Sequence, residues 1–302
     1  MRGKWLAFTL LAPALVLSAC GRLSDDGAAG GGPTGTTASG PTGATGGIEH
    51  PTGSDQVILR VQTGGGFVPV EWNLRSVPGF TLLGDGRLIV EGPVIEIYPG
   101  PAMPNLLVSR LTEAAIQAIL AEAERAGLLG GDATYDYPCV ADAPTTTFTV
   151  SAGGTTSTVS AYALGFEDDA GQSACAGTDR RARAELWDFS MRLGDLRSWL
   201  PEGSVSAEEP YVPAEMRVYV QPYRGDPELP QRLIEWPLEV PLAEFGRPDP
   251  NLPGVRCGVV SGPDLEALLP LANRANQLTP WVSDRDRHGL IFRPLLPDEH
   301  GC

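Results

Sequence analysis

Apolar residues recur at helical spacing in one segment near the middle of the chain. Thr112 precedes this segment as a candidate N-cap, and Gly127 follows it as a candidate C-terminal stop. The apolar positions that share one helical face are Ile116, Ile119, Leu120 and Ala123. Spacings of three and four residues align such positions on a helix, so the pattern predicts an α-helix that covers a core.

Two further helices are predicted from the same kind of pattern. One begins at Thr178-Asp179 and ends before Gly194, with Leu186, Phe189 and Leu193 at helical spacing. The other begins at Ser261 and has Pro263 in its first turn, where the missing N–H of proline costs little.

β-Prone segments on either side of short polar turns predict antiparallel hairpins. Three such hairpins are predicted: 79–83 with 87–90 around Gly84-Asp85-Gly86, 145–150 with 156–162 around Gly153-Gly154, and 281–282 with 290–292 around the polar segment 284–289. Single strands are predicted at 57–61, 106–108, 216–220, 233–236 and 257–260.

The order of these elements predicts the fold class. Hairpins and helices do not alternate regularly as in parallel α/β folds, so we expect an α+β fold of mainly antiparallel β-hairpins, with one or two helices per domain. Proline, glycine and serine punctuate residues 201–213, which we interpret as a linker between two small domains at 55–200 and 214–302. The proline-rich run 237–253 predicts an ordered loop without regular structure.

The amino terminus carries a separate apolar run from Trp5 to Leu17, preceded by Arg2 and Lys4. This run is shorter than the roughly 20 residues that span a bilayer, and it is typical of a signal peptide, here 1–19. The run ends in Leu17-Ser18-Ala19-Cys20, which resembles the bacterial lipobox. The resemblance implies that a diacylglyceryl group is attached to Cys20, that cleavage occurs before it, and that the protein is lipid-anchored at the extracytoplasmic face of the cell membrane.

Residues 20–54 are dominated by glycine, threonine, proline, serine and alanine, and Pro-Thr-Gly recurs three times. Such a segment buries too little apolar surface to fold, so we expect a disordered tether with an end-to-end distance of roughly 30 Å. A further hypothesis is that the threonines of this tether carry O-linked sugars. The composition resembles that of uncharacterised actinobacterial-type lipoproteins, which implies no activity.

Acidic residues dominate the charge: 37 against 22 basic residues, for a formal charge of −15 at pH 7. Nucleic acid is therefore not an expected partner. Lys4 is the only lysine, so a chain without its signal peptide has none for a Schiff base, a Walker-type phosphate loop or a Ser-Lys dyad.

Five cysteines are present. Assigning Cys20 to lipid leaves an even number, which in an exported protein favours two disulfides. Of the three possible pairings we favour Cys139–Cys175 and Cys257–Cys302, because each pair lies within one predicted domain. No CxxC or CxxH spacing indicates zinc, and we predict neither a metal nor a cofactor.

No catalytic constellation is evident in the sequence. His50 lies in the tether and His300 near the terminus, so both are expected to be mobile, while His288 is expected as a solvated residue of the hairpin loop. The acidic segment around Asp284 does not complete a calcium loop, since Leu295 stands where the bidentate carboxylate would be. The segment 167–171 could bind calcium in another geometry, although exposed charge in a turn explains it more simply. A carboxylate pair for glycoside hydrolysis stays open.

Tryptophans give a second hint about function. Trp187 and Trp199 are expected in a core or between domains. Trp72 and Trp236 lie near loops, where they could pack in a core or could instead form a sugar- or protein-binding surface.

These observations favour a tethered, non-enzymatic binding or interaction module whose partner is a cell-envelope protein or glycan. The alternative is a cell-envelope hydrolase that uses carboxylates on glycan or peptide substrates. A solute-binding lipoprotein is a third possibility, although its regular two-lobed α/β pattern is missing.

Overall fold

The computed structural model describes residues 46–166 and 179–302. The predicted signal peptide, Cys20, most of the tether, the acidic segment 167–169 and Cys175 lie outside the described residues. Gly46–Cys302 form one compact unit. Its described part contains 14 strands and four α-helices in two mainly antiparallel sheets, which confirms the predicted α+β class. No helix of this part is long and apolar enough to cross a membrane.

The first sheet has eight strands in the order β5-β7-β6-β1-β2-β3-β4-β8. Its strands are β1 (Val57–Gly64), β2 (Phe80–Leu83), β3 (Arg87–Glu91), β4 (Leu106–Arg110), β5 (Ala133–Tyr135), β6 (Thr145–Ala152), β7 (Thr155–Tyr162) and β8 (Glu209–Pro210). Only the edge pair β5–β7 is parallel among these described strands. The two hairpins predicted in this region, β2–β3 and β6–β7, are confirmed.

Two long helices cover one face of this sheet, and a short one lies before β2. They are α1 (Val70–Arg75), α2 (Glu113–Arg125) and α3 (Arg180–Leu193). The Thr112 side chain accepts from the Ala115 N–H, as the predicted cap requires, and the predicted apolar face of α2 is buried. On α3 the Phe189 ring packs 6.2 Å from that of Phe148 on β6, so helix and sheet share one core.

The second sheet has six strands in the order β10-β13-β14-β9-β12-β11. Its strands are β9 (Glu215–Pro222), β10 (Ile234–Glu235), β11 (Arg247–Pro248), β12 (Arg256–Ser261), β13 (Trp281–Ser283) and β14 (Asp286–Pro294), and the helix α4 (Gly262–Ala272) packs against it. Trp281 is the largest fully buried side chain and makes edge-on contacts with Trp236 and Phe292. This sheet therefore has its own aromatic core.

The two sheets meet on the face of the first sheet that α2 and α3 leave uncovered. Leu83 and Ile89 contact Leu296 from the C-terminal segment in a small separate core, which explains why every residue of β2 is buried. The Arg60 guanidinium on β1 donates to the Asp298 carboxylate at 2.6 Å. Tyr211 donates to the Leu295 carbonyl at 2.9 Å, and burial raises the pKa of its phenol to about 12.

A buried ion pair secures the same contact between the sheets. Arg293 on β14 makes two 2.7 Å bonds to the Glu299 carboxylate, and its Nε donates to the Ser76 carbonyl beside α1. Burial alone would raise the pKa of Glu299. The hydrogen bonds from Arg293 and the Leu296 N–H, with the charges of Arg293 and Arg60, outweigh burial and hold the pKa below its usual value.

The predicted disulfide between Cys257 and Cys302 is present, and it holds the C-terminus on β12. Cys139 is also disulfide-bonded. Because Cys175 lies outside the described residues, the pairing of Cys139 with it stays a prediction.

Several segment boundaries differ from the sequence-based expectation. The compact unit begins at Gly46, inside the predicted tether, because the main chain of Ile48 both donates to and accepts from the Gln117 side chain on α2. The predicted linker 201–213 contains β8, which pairs with β4 at the sheet edge where a proline without an N–H is tolerated. The third hairpin turns at Asp284-Arg285 alone, both at positive φ, so strand β14 already begins at Asp286.

Candidate binding cleft

An open cleft of about 960 Å³ lies on the first sheet, beyond the end of α3. Its floor is formed by apolar side chains from four neighbouring strands: Val61, Phe80, Val90 and Leu107. These side chains lie on the sheet face that α2 and α3 cover elsewhere. The cleft therefore exists because the covering helices end before the sheet does.

One wall of the cleft is the end of α3 and the short 3-10 helix that follows it, Leu196–Ser198. Leu193 and Leu196 turn their side chains into the core, while Asp195 between them is exposed. The Arg197 guanidinium donates to the carbonyls of Val205 and Ser206, which ties this wall to the sheet edge.

The opposite wall is the connection between β3 and β4, residues 92–105, which we call the strap. The Gly92 N–H donates to the Asn105 carbonyl at 2.8 Å, and the Asn105 side chain donates to the Pro93 carbonyl at 2.9 Å. A Cβ on residue 92 would lie 2.6 Å from Asn105 Nδ2, so a larger residue there would displace the Asn105 side chain that closes this base. These hydrogen bonds therefore hold the strap in place where it leaves the sheet.

Further along, the strap is bound to the loop that joins α4 to β13 of the second sheet. The Ala102 N–H donates to the Ala275 carbonyl at 3.0 Å, and the Gln277 N–H donates to the Gly100 carbonyl at 3.0 Å. Ala102 is buried in the second core. The strap thus leaves the first sheet, contacts the loop between α4 and β13 and returns to the first sheet, and it is held at both places. Its four prolines, which lack an N–H, disfavour a regular hairpin.

Between these two anchors the strap exposes apolar side chains. Val94, Ile95 and Ile97 line the cleft and are 60%, 72% and 58% exposed, and Trp72 from α1 is 60% exposed beside them. We call these four residues the apolar rim. Tyr98, 65% exposed, extends the apolar surface of the strap. Exposed apolar side chains gathered around a concavity indicate an interaction site.

Ionisable groups in the cleft are mostly acidic. Four carboxylates, Glu91, Glu96, Asp195 and Glu208, line the cleft with two guanidinium groups, Arg75 and Arg197. Burial raises the pKa of Glu91, although part of this side chain reaches solvent, and the positive charge of Arg75 opposes the rise. Burial lowers the pKa of Arg75, and Glu91 opposes that shift.

The three histidines do not contribute to the cleft. His50 was expected to be mobile, yet its side chain is buried, and its Nε2 lies 3.0 Å from a Glu113 oxygen on α2. Hydrogen bonds from Gln117 and His50 hold the pKa of Glu113 below its usual value. Within the described residues, no histidine bonds to a hydroxyl or thiol.

His288 was expected as a solvated residue of the hairpin loop, and that prediction is wrong. It lies within β14, opposite Trp281 on one side and Pro222 on the other. Its Nε2 is buried and has no hydrogen-bond partner among the described residues. The shorter turn at Asp284-Arg285 is the reason, since it extends the strand over this position.

The tryptophans divide differently from expectation. Trp72 lies at the cleft mouth, whereas Trp236 is 8% exposed and belongs to the second core. Trp199 packs against the first core as expected, but Trp187 is 41% exposed on α3. Of the two surface candidates, the structure leaves only Trp72.

Sequence analysis missed the strap entirely. Its signal was present as two adjacent features: apolar residues at Val94, Ile95 and Ile97, and prolines on both sides that keep this run out of a strand. No group of three or more His, Cys, Asp or Glu side chains in the described ranges is placed to hold a metal ion. Comparison with protein-family models, curated proteins and solved structures yields no match for this chain.

Proposed function

We propose that this protein is a membrane-anchored, extracytoplasmic lipoprotein whose folded unit binds a partner in the cleft. The anchor follows from the lipobox resemblance at Leu17–Cys20 and from the flexible composition of the tether. The observation that supports binding is the apolar rim, whose four exposed side chains are gathered around one concave surface with an apolar floor.

The exposure of the rim has an energetic meaning. Full burial of an isoleucine-sized side chain stabilises a protein or a complex by about 1.5–3 kcal/mol. Hydrogen bonds at Gly92, Asn105, Gly100 and Ala102 hold the strap in place, so the exposure is not a consequence of a loose loop. A partner that buries the rim would therefore gain this free energy on binding.

The size of the cleft is consistent with a sizeable ligand. A volume of about 960 Å³ lies near the upper end of the roughly 300–1,000 Å³ usual for ligand sites. The cleft is open, and its apolar floor continues into the rim. These features suit an extended partner better than a small enclosed solute.

Binding at the cleft can be tested with the neutral, environment-sensitive dye Nile red. The probe is the mature chain carrying Cys20→Ser, so that no acyl chain competes for the dye. We expect saturable binding, and we expect the double variant Ile95→Ser/Ile97→Ser to weaken it about tenfold through lost apolar contact. Val212→Ser removes a side chain 71% exposed outside the cleft and is the matched control. Equal losses in both variants would argue against the cleft.

Anchoring is tested in a bacterial host with a lipobox-processing pathway. We expect an alkyne-labelled fatty acid to be incorporated into the protein, and we expect Cys20→Ser to abolish both the label and partitioning into the detergent phase. Incorporation that survives Cys20→Ser would contradict the assignment of this cysteine to lipid.

A hydrolase is the second candidate, favoured by Glu91. A carboxyl whose pKa is raised in a cleft with other carboxylates is suited to act as a general acid. On this hypothesis, the protein releases reducing ends from purified cell-wall glycan, and Glu91→Gln abolishes the release. If wild-type protein releases none, the binding proposal stands alone.

A further inference from the structure

We propose that the occupant of the cleft is an extended segment of a cationic polypeptide, with apolar side chains on the floor and rim and basic side chains beside the carboxylates. This inference rests on the proposed function, because it names the partner of the same cleft. The observation that carries it is the charge of the lining.

Three carboxylates of the cleft form no ion pair with any residue that the structure describes. Glu96, Asp195 and Glu208 are all exposed, and none of them pairs with a basic side chain among the described residues. The charge of Arg75 faces Glu91, and the guanidinium of Arg197 is held by two neutral carbonyls, so Arg197 is one positive charge beside three carboxylates. A partner that brings basic groups into the cleft would therefore meet uncompensated negative charge.

Charge excludes most other occupants. A second copy of this chain is as acidic as the first, with 37 acidic against 22 basic residues, so like charges would oppose its docking. The same repulsion disfavours a fatty acid and an anionic bilayer. Segments of the chain outside the described residues do not fit either: the tether is poor in large apolar residues, and 167–169 is acidic. The basic and apolar segment 1–19 is removed by the cleavage that the proposed function includes.

Shape and chemistry favour a polypeptide among cationic or neutral ligands. The floor crosses four strands spaced about 4.8 Å apart, a span of about 15 Å that roughly five residues of extended chain would cover. The rim is chiefly aliphatic, with Trp72 as its single aromatic residue. Sugar recognition relies on aromatic platforms and dense hydrogen bonding, whereas aliphatic pockets suit leucine- or valine-sized side chains.

The experiment measures calorimetric binding of three ten-residue peptides to the mature chain carrying Cys20→Ser. All three have leucine at alternate positions, and the intervening residues are arginine, serine or glutamate. We expect the arginine peptide to bind at least tenfold more tightly than the glutamate peptide, with an affinity that falls as salt rises.

Two comparisons, each of a variant in the cleft with a control outside it, test whether the peptides bind in the cleft. We expect Glu96→Gln/Glu208→Gln to weaken the arginine peptide about threefold to tenfold, with little change for the serine peptide. Glu239→Gln, at an exposed carboxylate outside the cleft, should change neither and controls for general attraction to the acidic surface. We expect Ile95→Ser to weaken all peptides that bind, and Val212→Ser to weaken none.

The outcomes separate this inference from the proposed function. If Nile red binds at the rim but the serine or glutamate peptide binds as tightly as the arginine peptide, the cleft is a binding site and the cationic partner is wrong. Preferential binding of chitotetraose or of phosphatidylcholine vesicles would likewise overturn the polypeptide partner. If neither dye nor any peptide responds to the rim variants, the proposed function itself fails.

Discussion

The strap and the proline-rich loop 237–253 are similar in composition, yet they place their apolar side chains in opposite environments. Ile95 of the strap is 72% exposed, whereas Leu242 of the loop is fully buried and Phe245 is 8% exposed in the second core. Both segments have several prolines, and neither forms a long helix or strand. Composition alone therefore does not determine whether such a segment becomes part of a core.

The difference lies in where each segment is held. Arg256 donates to the carbonyls of three successive loop residues, Glu244, Phe245 and Gly246, and the Ser283 hydroxyl accepts from the Leu242 N–H. These bonds draw the middle of the loop onto the second sheet. The strap is held at its base by Gly92 and Asn105 and again at residues 100–102, so the segment 94–98 between these points remains available to a partner.

The largest expected effect comes from truncating the apolar side chains of the two segments. Leu242→Ala should lower the free energy of unfolding by about 3 kcal/mol, because it leaves a cavity in the second core. Ile95→Ala should change it by less than about 0.5 kcal/mol, since this side chain already contacts water. Urea denaturation followed by circular dichroism measures both. If both variants lost a similar free energy of unfolding, the strap would be buried in solution and would not differ from the loop 237–253.

Alanine substitutions of one glycine in each segment should also differ in their effect on stability, by a smaller amount. Gly246 has φ 64°, and a Cβ there would lie 2.1 Å from the Cys257 carbonyl oxygen, so Gly246→Ala should destabilise the protein by about 2–3 kcal/mol. At Gly92 the nearest atoms belong to the side chains of Asn105 and Leu107, which can move. Gly92→Ala should therefore cost under about 1 kcal/mol and act mainly by displacing the strap, which would weaken Nile red binding.

The stability contributions of two carboxyls, Glu299 between the sheets and Glu91 in the cleft, should depend on pH in opposite directions. Glu299 has a pKa below its ordinary value of 4.5, so its contribution to stability is present above pH 4.5 and is lost as pH falls through the folded-state pKa. Glu299→Gln should cost about 2 kcal/mol at pH 7, and the gap from wild type should narrow in acid. Denaturation curves across this pH range measure it, and a gap that widens in acid would contradict the assignment.

For Glu91 in the cleft, we expect stability to depend on pH in the opposite direction from Glu299, and we expect the smallest change in stability of the variants proposed. Because burial raises its pKa, the folded state favours the protonated form, and that contribution is lost as pH rises through the folded-state pKa. Glu91→Gln stays neutral, so we expect the variant to be no less stable than wild type at pH 7. A clear loss of stability at pH 7 would show that the Arg75 charge outweighs burial.

Local signals predicted the elements well where local physics determines them. The helix from Glu113 to Arg125 was predictable because its cap and its apolar spacing are both written in neighbouring residues. The same is true of the hairpins, whose turns contain the glycines that reverse the chain. Only at Asp284-Arg285, where two non-glycine residues adopt positive φ, did the turn differ, and that displaced His288 from the loop into a strand.

The cleft was not predictable for the opposite reason. Its floor comes from four strands, and its walls come from α3 and the strap. The exposure of Ile95 depends on where the strap is anchored, which is on the loop between α4 and β13. His50 illustrates the same dependence, since its position against Glu113 joins residues 63 apart in sequence. Such contacts carry no signature in the spacing of neighbouring residues.

The sequence by itself determined the periodic elements and the acidic character, because each depends on residue type and short spacing. The tertiary structure alone decided which proline-rich segment is buried, which tryptophans reach the surface and where a cleft remains open. Burial is a property of what packs against a residue, and the packing partners in this protein come from distant parts of the chain.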